Sequence, residues 1–363
     1  MKDEEYMHLA MQLAEKGKGK TSPNPMVGAV IVKNHRVIAQ GWHQRCGGHH
    51  AEVIALRQAG KWATGARMYV TLEPCFHFGR TPPCVDQLIA AGIKEVFIGM
   101  RDPNPLTNGK SMALLRKAGI RVHVGLLQRS LERLNEAFIK YIKHGMPLVV
   151  AKSAQTLDGK IATAAGHSQW ITSAATRRYA RGLRNEFDAI LIGINTVLKD
   201  DPLLNPGSRY KRLKKVILDS RLRMPLQARL LREGNPQDCI IATTLQKSSS
   251  RIRQLEKRGV CILQCPIQNG QIHLKWLLEE LARREMTAVL IEGGAQLIGS
   301  ALRERLVDKM RIFVAPKIIG SQHALSAVDG IYCSHIDQAI RLRSLTGIPL
   351  GKDWLWEGYC VYP

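Results

Sequence analysis

The sequence predicts an α/β protein built as two three-layer domains. Three observations carry that reading. The chain has 363 residues, more than one ordinary compact core accommodates. Strand-sized apolar runs alternate with helix-patterned segments throughout, the pattern of helices layered on sheets. No internal repeat relates the first series of elements to the second, so the halves are different domains. In "KHGMPLVV" (143–150), Gly145 and Pro147 separate a helical pattern from a new strand, which sets the domains at 1–145 and 146–363.

In the first domain the amphipathic stretch 3–16 is helical, with its acidic residues early. "VGAVIV" (27–32), "ARMYVTL" (66–72) and "EVFIGM" (95–100) are apolar runs of strand length. Helical spacing recurs at 50–60, 84–91, 111–118 and 130–143. The second domain starts its own series of strands at 147–154, 189–194, 215–220, 239–243, 260–265, 288–294, 310–316 and 354–362. Helical stretches fall at 174–185, 248–258, 274–285 and 296–305. Strands of this number and length fit a single open sheet.

The bulk numbers exclude several classes. Hydrophobic residues make up 45% of the chain, as in ordinary globular proteins. The longest apolar runs are strand-sized, such as "AVLI" (288–291), so no membrane-spanning helix is expected. The amino-terminal "MKDEEYMHLAMQLAEKG" lacks the apolar core of a signal peptide, and the expectation is a cytoplasmic protein. The eight cysteines form no disulfide framework. Cys46, Cys239, Cys261, Cys265, Cys333 and Cys360 read as small apolar or free residues. The net charge of +23 invites a nucleic-acid reading. Yet residues 1–145 hold 21 Lys and Arg against 11 Asp and Glu, and the remainder 32 against 19. The excess is even, and the densest cluster, "RYKRLKK" (209–215), carries no aromatic stacking pattern. Such a field favours small anionic substrates and cofactors rather than nucleic acid.

"HHAEVIALRQAG" (49–60) and "TLEPCFHFGRTPPC" (71–84) carry the chemistry. His50, Cys75 and Cys84 supply three zinc ligands and leave the fourth tetrahedral position to water. Zinc lowers the pKa of water from 15.7 to about 7. Glu52 lies two residues beyond His50 near a helix start, so the two side chains do not share a face. One can bind metal while the other takes a proton from water and returns it to a leaving amine. Nucleobase deaminases use H-x-E followed by P-C-x-x-C. Here the second cysteine comes after eight residues rather than two. His49 is the alternative ligand, but the H-x-E register selects His50. In "TSPNPMVG" (21–28), two prolines flank Asn24, whose amide suits a pyrimidine edge or a plain turn.

"SPNPMVGAVIV", "HAEVIALRQAG", "TLEPCFHFGRTPPC" and "DPNPLTNGKSMALLRKAGI" together resemble the deaminase half of the bifunctional enzymes of riboflavin biosynthesis. "AKSAQTLDGKIAT", "SQWITS", "NTVLKDDPLL", "DSRLRMP" and "IEGGAQLIGSALRERLVDKMRIFVAPKIIG" resemble the reductase half, in the family's order. The resemblance implies a cytidine deaminase-like fold followed by a dihydrofolate reductase-like fold. It implies one Zn2+ per deaminase domain, with NADPH for the reductase. The reactions it implies are loss of the ring amine from a diaminohydroxy-phosphoribosylaminopyrimidine, then reduction of the product's ribosyl group to ribityl. The partner is then a small phosphorylated pyrimidine, with no nucleic acid or membrane, and a homo-oligomer is compatible with it.

By the same resemblance, Asn24, His43, His77, Arg80, Asp102 and Asn104 line the deaminase pocket. Ala154, Trp170, Thr196, Asp200, Ser220, Gly294, Ala295, Gln296 and Leu297 match cofactor positions. Lys152, Ser168, Arg184, Leu204, Arg209 and Glu292 match reductase substrate positions. Gly293 and Gly294 end a strand before a helix, where close backbone approach and the helix amino end favour phosphate. "TLDG" (156–159) by itself is a turn signal. The chain departs from the family at Phe76, usually Ser, at Ser111, usually Gly, and in "LLNPGSRY" after "DDP". The alternative reading is a nucleic-acid base deaminase with an RNA-binding second half.

Overall fold

A computed structural model describes residues 2–76, 83–105, 107–206, 213–245 and 250–363. It divides into two compact units, Met1–Met146 and Pro147–Pro363. Gly145 closes the last helix of the first unit in the left-handed conformation, with its N–H on the Tyr141 carbonyl. That is the ordinary glycine stop of a helix.

The first unit is a five-stranded sheet in the order β2-β1-β3-β4-β5. The strands are β1 (Gly28–Lys33), β2 (Arg36–Trp42), β3 (Arg67–Leu72), β4 (Glu95–Met100) and β5 (Arg121–Val124). β2 and β3 flank β1 antiparallel, while β3, β4 and β5 run parallel. The helices are α1 (Asp3–Glu15), α2 (Ala51–Ala59), α3 (Cys84–Ala90), α4 (Lys110–Lys117), α5 (Gln128–Leu134) and α6 (Glu136–His144).

Two glycines establish the layering. A Cβ on Gly28 would meet the Ala10 carbonyl of α1 at 2.0 Å. A Cβ on Gly41 would meet the Ala51 carbonyl of α2 at 2.3 Å and the Ala55 nitrogen at 2.7 Å. Gly41 pairs with Ala29 across the β1–β2 ladder. Adjacent residues of a strand point to opposite faces, so Gly28 and Gly41 face opposite ways. Hence α1 and α2 lie on opposite sides of the sheet, giving three layers. Tyr6, Met7, Ile31, Met68, Tyr69, Leu88, Ile98 and Leu115 are fully buried in this core.

Sequence patterning misses β2 and β5. Both are edge strands: β2 ("RVIAQGW") and β5 ("RVHV") are only partly buried and lack a full apolar signal. The expected helix at 130–143 is two helices meeting at Asn135. The buried Asn135 amide accepts from the Met26 N–H at 2.8 Å and donates to the Met26 carbonyl at 3.0 Å.

The second unit is built on a nine-stranded sheet, with two further two-stranded ladders. From edge to edge it runs Cys261–Gln264, Cys239–Thr243, Lys214–Leu218, Ala189–Gly193, Ala288–Glu292, Leu148–Thr156, Lys309–Ala315, Asp353–Val361 and Arg341–Leu350. The first seven are parallel and the last two antiparallel. The parallel strands are near-continuous apolar runs, as expected of strands covered on both faces. After Leu148–Thr156 the chain steps outward to Cys261–Gln264, then returns to insert Ala288–Glu292 beside the first strand. Because crossovers are right-handed, this reversal sends the connecting helices to opposite faces. The strand Arg341–Leu350, missed by patterning, is an exposed edge whose ladder with Asp353–Val361 is irregular between Arg343 and Thr346. Ile194–Asp200, without a helical pattern in the sequence, is a helix directly following Ala189–Gly193.

Gly41→Ala is expected to push α2 off the sheet and destabilise the first unit by about 1–3 kcal/mol, an overpacking cost. The check is urea denaturation followed by a probe of the first unit. An unchanged midpoint would show that the helix yields freely.

Candidate active sites

In the first unit, His50 is the residue that starts α2, in extended backbone conformation with no capping bond from its side chain. Its ring is thereby left for other use. Cys75 follows β3, and Cys84 opens α3. The Cys84 and Val85 N–H groups donate to the Cys75 carbonyl at 3.1 and 3.2 Å. The Cys84 N–H also points at Cys75 Sγ, 3.4 Å away. His50 Nδ1 lies 3.0 Å from Cys84 Sγ and 3.5 Å from Cys75 Sγ. All three donor atoms fall within 4.8 Å of one another.

This donor set fits zinc. Tetrahedral ligands at about 2.0–2.3 Å from the ion stand roughly 3.5–3.8 Å apart, within the observed range. The two thiols share a hydrogen bond: against burial it holds Cys75 down to about 4, while the same contact and burial push Cys84 well up. His50 is raised, first by its hydrogen bond to Cys75.

Glu52, in the first turn of α2, is 3% exposed. Burial raises its pKa, against the pull of His50. Its carboxyl group also bonds Cys84. A buried carboxyl beside a metal position is suited to carry a proton in both directions.

His43 and Asn24 stand next to the cluster. The His43 ring meets that of His50 edge-on, with centroids 5.7 Å apart. His43 Nδ1 faces the His49 carbonyl at 3.1 Å, and Asn24 Nδ2 lies 3.1 Å from His43 Nε2. Burial lowers the pKa of His43. The neutral ring, protonated on Nδ1, donates to His49 and accepts from Asn24. The Asn24 amide is thus oriented by a buried neighbour and is more than a turn residue. Asp102 and Asn104 lie on the loop after β4, where Asp102 Oδ1 accepts from the Asn104 N–H at 2.9 Å. His77 and Arg80 lie outside the described residues.

Two residues that sequence reading passed over support this pocket. Asn135 clamps both backbone groups of Met26, two residues after Asn24. Glu73, in "EPC", is 2% exposed and holds the loop after β4. Their only sequence signal is a polar residue inside an otherwise apolar pattern.

In the second unit, Glu292 ends its strand in register with Lys152 of the neighbouring one. Arg184 grips Glu292 with two parallel bonds, Nε to Oε2 at 2.8 Å and Nη2 to Oε1 at 2.9 Å. Lys152 Nζ approaches Oε1 at 3.5 Å, and Arg184 Nη1 donates to the Asn205 carbonyl at 3.1 Å. Burial alone would raise the Glu292 pKa, but the two cations hold it down to about 2. Leu204, adjacent to Asn205, is buried with φ +53°. Ser168 is half-buried and, among the described residues, makes no hydrogen bond to this group. Arg209 lies outside the described residues.

Thr196 and Asp200, Ser220 and Gly294 follow three neighbouring parallel strands at their carboxyl ends. Ala154 lies in the next strand, Leu148–Thr156. Ligands of open α/β sheets bind at this edge, where the strand order reverses. Gly293 and Gly294 have φ of +92° and +83°, and a Cβ on Gly293 would meet nothing within 4 Å. The backbone there is bare, ahead of the helix Ala295–Arg303 that holds Ala295, Gln296 and Leu297. Bare amides at a helix start suit a phosphate, so the residues fit a nicotinamide dinucleotide. Trp170 is 60% exposed, with the Arg177 guanidinium 4.1 Å from its ring centroid and Lys317 Nζ on its carbonyl at 2.7 Å. "TLDG" does more than turn the chain: Asp158 accepts from the Ile319 and Gly320 N–H groups.

Fold and sites define a zinc-dependent deaminase joined to a nicotinamide-dependent reductase. Residues 1–100 match the model of the cytidine and deoxycytidylate deaminase zinc-binding region, and residues 147–355 that of the RibD C-terminal domain. The riboflavin biosynthesis protein RibD of Actinobacillus pleuropneumoniae is 41% identical, over 100% of this chain and 96% of that protein. The structure of Acinetobacter baumannii RibD (form 1) is 39% identical, with TM-score 0.89 over 99% of each chain. A diaminohydroxyphosphoribosylaminopyrimidine deaminase/5-amino-6-(5-phosphoribosylamino)uracil reductase from Thermotoga maritima is 35% identical, with TM-score 0.86 over 99% of this chain and 98% of that one. The chain belongs to the RibD family of bifunctional riboflavin-biosynthesis enzymes. Its second half is a reductase domain, which removes the RNA-binding alternative. Among the described residues no helix is long and apolar enough to cross a membrane.

Cys84→Ala is expected to lower bound zinc from about one ion per chain to well below that, because a catalytic site holds its ion with three protein ligands. Metal analysis after dialysis checks this, with Cys333→Ala, an exposed cysteine, retaining its zinc.

Proposed function

We propose that His50, Cys75 and Cys84 hold the zinc of the deaminase half, and that Glu52 moves the protons of hydrolytic deamination. The observation that carries this is the convergence of three donor atoms within 4.8 Å beside a carboxyl group only 3% exposed. Zinc held there would supply Lewis acidity and bring the pKa of water toward about 7. Glu52 would take a proton from the attacking water and return it to the departing ring amine, which leaves as ammonia. Asn24, oriented by His43, hydrogen-bonds the pyrimidine edge, and Asp102 and Asn104 close the pocket. The substrate is a diamino-hydroxy-pyrimidine bearing a phosphoribosylamino group, and Arg80 is assigned to its phosphate for the paired bonds a guanidinium makes.

The reductase half then reduces the ribosyl group of the aminouracil product to ribityl. NADPH supplies the hydride. The chain's own work is positioning and electrostatics. Gly294 to Leu297 take the cofactor phosphate, and Thr196, Asp200, Ser220, Ala154 and Trp170 line the rest of its course. Lys152, Arg184 and Glu292 bind the substrate. With Glu292 held ionised by two cations, the trio presents fixed charges to the sugar hydroxyls and phosphate and loses little to reorganisation. Ser168 and Leu204 are assigned to the same substrate, and Arg209 to its phosphate by residue type alone.

Glu52→Gln should lower ammonia release by roughly 10²–10⁴-fold, the usual worth of a general acid–base group. Zinc should stay bound, and NADPH oxidation with the deaminated substrate should continue at the parental rate. Retained deamination in a zinc-loaded variant would remove Glu52 from the mechanism. Arg184→Ala should weaken the second step alone, read as loss of NADPH oxidation with ammonia release intact. Equal loss in both steps would indicate a folding defect.

A further inference from the structure

We propose that Glu73 is a positioning residue of the deaminase site: its carboxylate fixes the loop that carries Asp102 and Asn104 in register with the metal-ligand turn. The proposal rests on the assignment of those two residues to the substrate pocket. Glu73 lies two residues before Cys75 and, at 2% exposed, is removed from solvent. Its own N–H donates to the Met100 carbonyl at the end of β4. Its carboxylate then reaches both ends of the loop from β4 to α4. At the near end, Oε2 accepts from the Asp102 N–H at 3.3 Å. At the far end, the Gly109 N–H donates to both oxygens, at 2.9 and 3.1 Å, and the Ser111 hydroxyl donates to Oε1 at 2.5 Å.

The placement is physically consistent. Gly109 and Ser111 belong to the first turn of α4, where unsatisfied N–H groups and the helix dipole favour an anion. Glu73 supplies acceptor oxygens there from another segment of chain. The Asp102 and Gly109 N–H groups and the Ser111 hydroxyl all donate to it, so its two oxygens serve as acceptors to both ends of the loop. Inside the clamp the loop fastens itself. Asn104 donates its N–H to Asp102 and accepts from the Thr107 and Asn108 N–H groups at 2.9 Å each. Asp102 is held through its backbone by Glu73 and through its side chain by Asn104. Any shift of Glu73 therefore moves both pocket residues relative to Cys75. Ser111 adds a donor to this clamp, which explains a buried hydroxyl (0% exposed) at that position.

The test uses the full-length, zinc-loaded enzyme. Glu73→Gln keeps the shape but turns an amide NH2 group toward N–H and O–H donors. The expected result is a KM for the aminopyrimidine phosphate raised roughly 10-fold or more, with kcat within about 3-fold, the signature of lost substrate positioning rather than lost chemistry. Zinc content and the reductase step should not change. Ser111→Ala, which removes one donor and leaves the carboxylate in place, should raise KM about 2–3-fold. Asp102→Ala is measured alongside. If it leaves KM unchanged, the pocket assignment itself fails. If it raises KM while zinc-loaded Glu73→Gln does not, Glu73 is no positioning residue. Loss of zinc with KM unaltered would also overturn the proposal, placing Glu73 in support of Cys75 alone. Should Glu73→Gln fail to fold, an unchanged KM in Ser111→Ala overturns it.

Discussion

Everything in the deaminase unit depends on how closely α2 can lie on the sheet. Gly41 leaves room where any Cβ would strike the Ala51 carbonyl at 2.3 Å. With the helix pressed down, its first turn brings His50 and Glu52 to the end of β3, where Cys75 and Cys84 are held together by backbone N–H bonds to Cys75. A helix standing off by the width of a methyl group would separate the imidazole from the thiols by more than a metal coordination shell tolerates. The chemistry of the site is therefore set by a packing distance.

The two units solve the problem of a buried carboxylate in opposite ways. Glu52 is pushed toward its protonated form by burial, relieved in part by His50. Glu292, half-buried, has Arg184 and Lys152 against its oxygens and is held down to about 2. Taking charge out of water favours the neutral acid, and close opposite charge restores the anion. The first arrangement suits a group that must accept and release a proton. The second suits a group that must keep its charge and its place. Glu73, also buried, is met by amides and a hydroxyl at a helix start. The even spread of the +23 net charge is consistent with these local arrangements: phosphate-bearing ligands meet a positive field, while specificity comes from a few fixed groups.

The amino-acid sequence by itself determined the α/β class, the apolar central strands, the glycine stop at Gly145, and the residue types of the candidate metal site. These are local properties: period, propensity and residue type in a short window. The tertiary structure decided which polar residues meet. Asn135 closes on Met26 from 109 residues away, Gly109 on Glu73 from 36, and Ile319 on Asp158 from 161. It also decided the edge strands β2, β5 and Arg341–Leu350, whose half-exposed faces carry weak patterns, and the break at Asn135 in what reads as one helix. The physical reason is the same throughout. A hydrogen bond or ion pair is specified by a partner's position in space, and no window of sequence contains that partner.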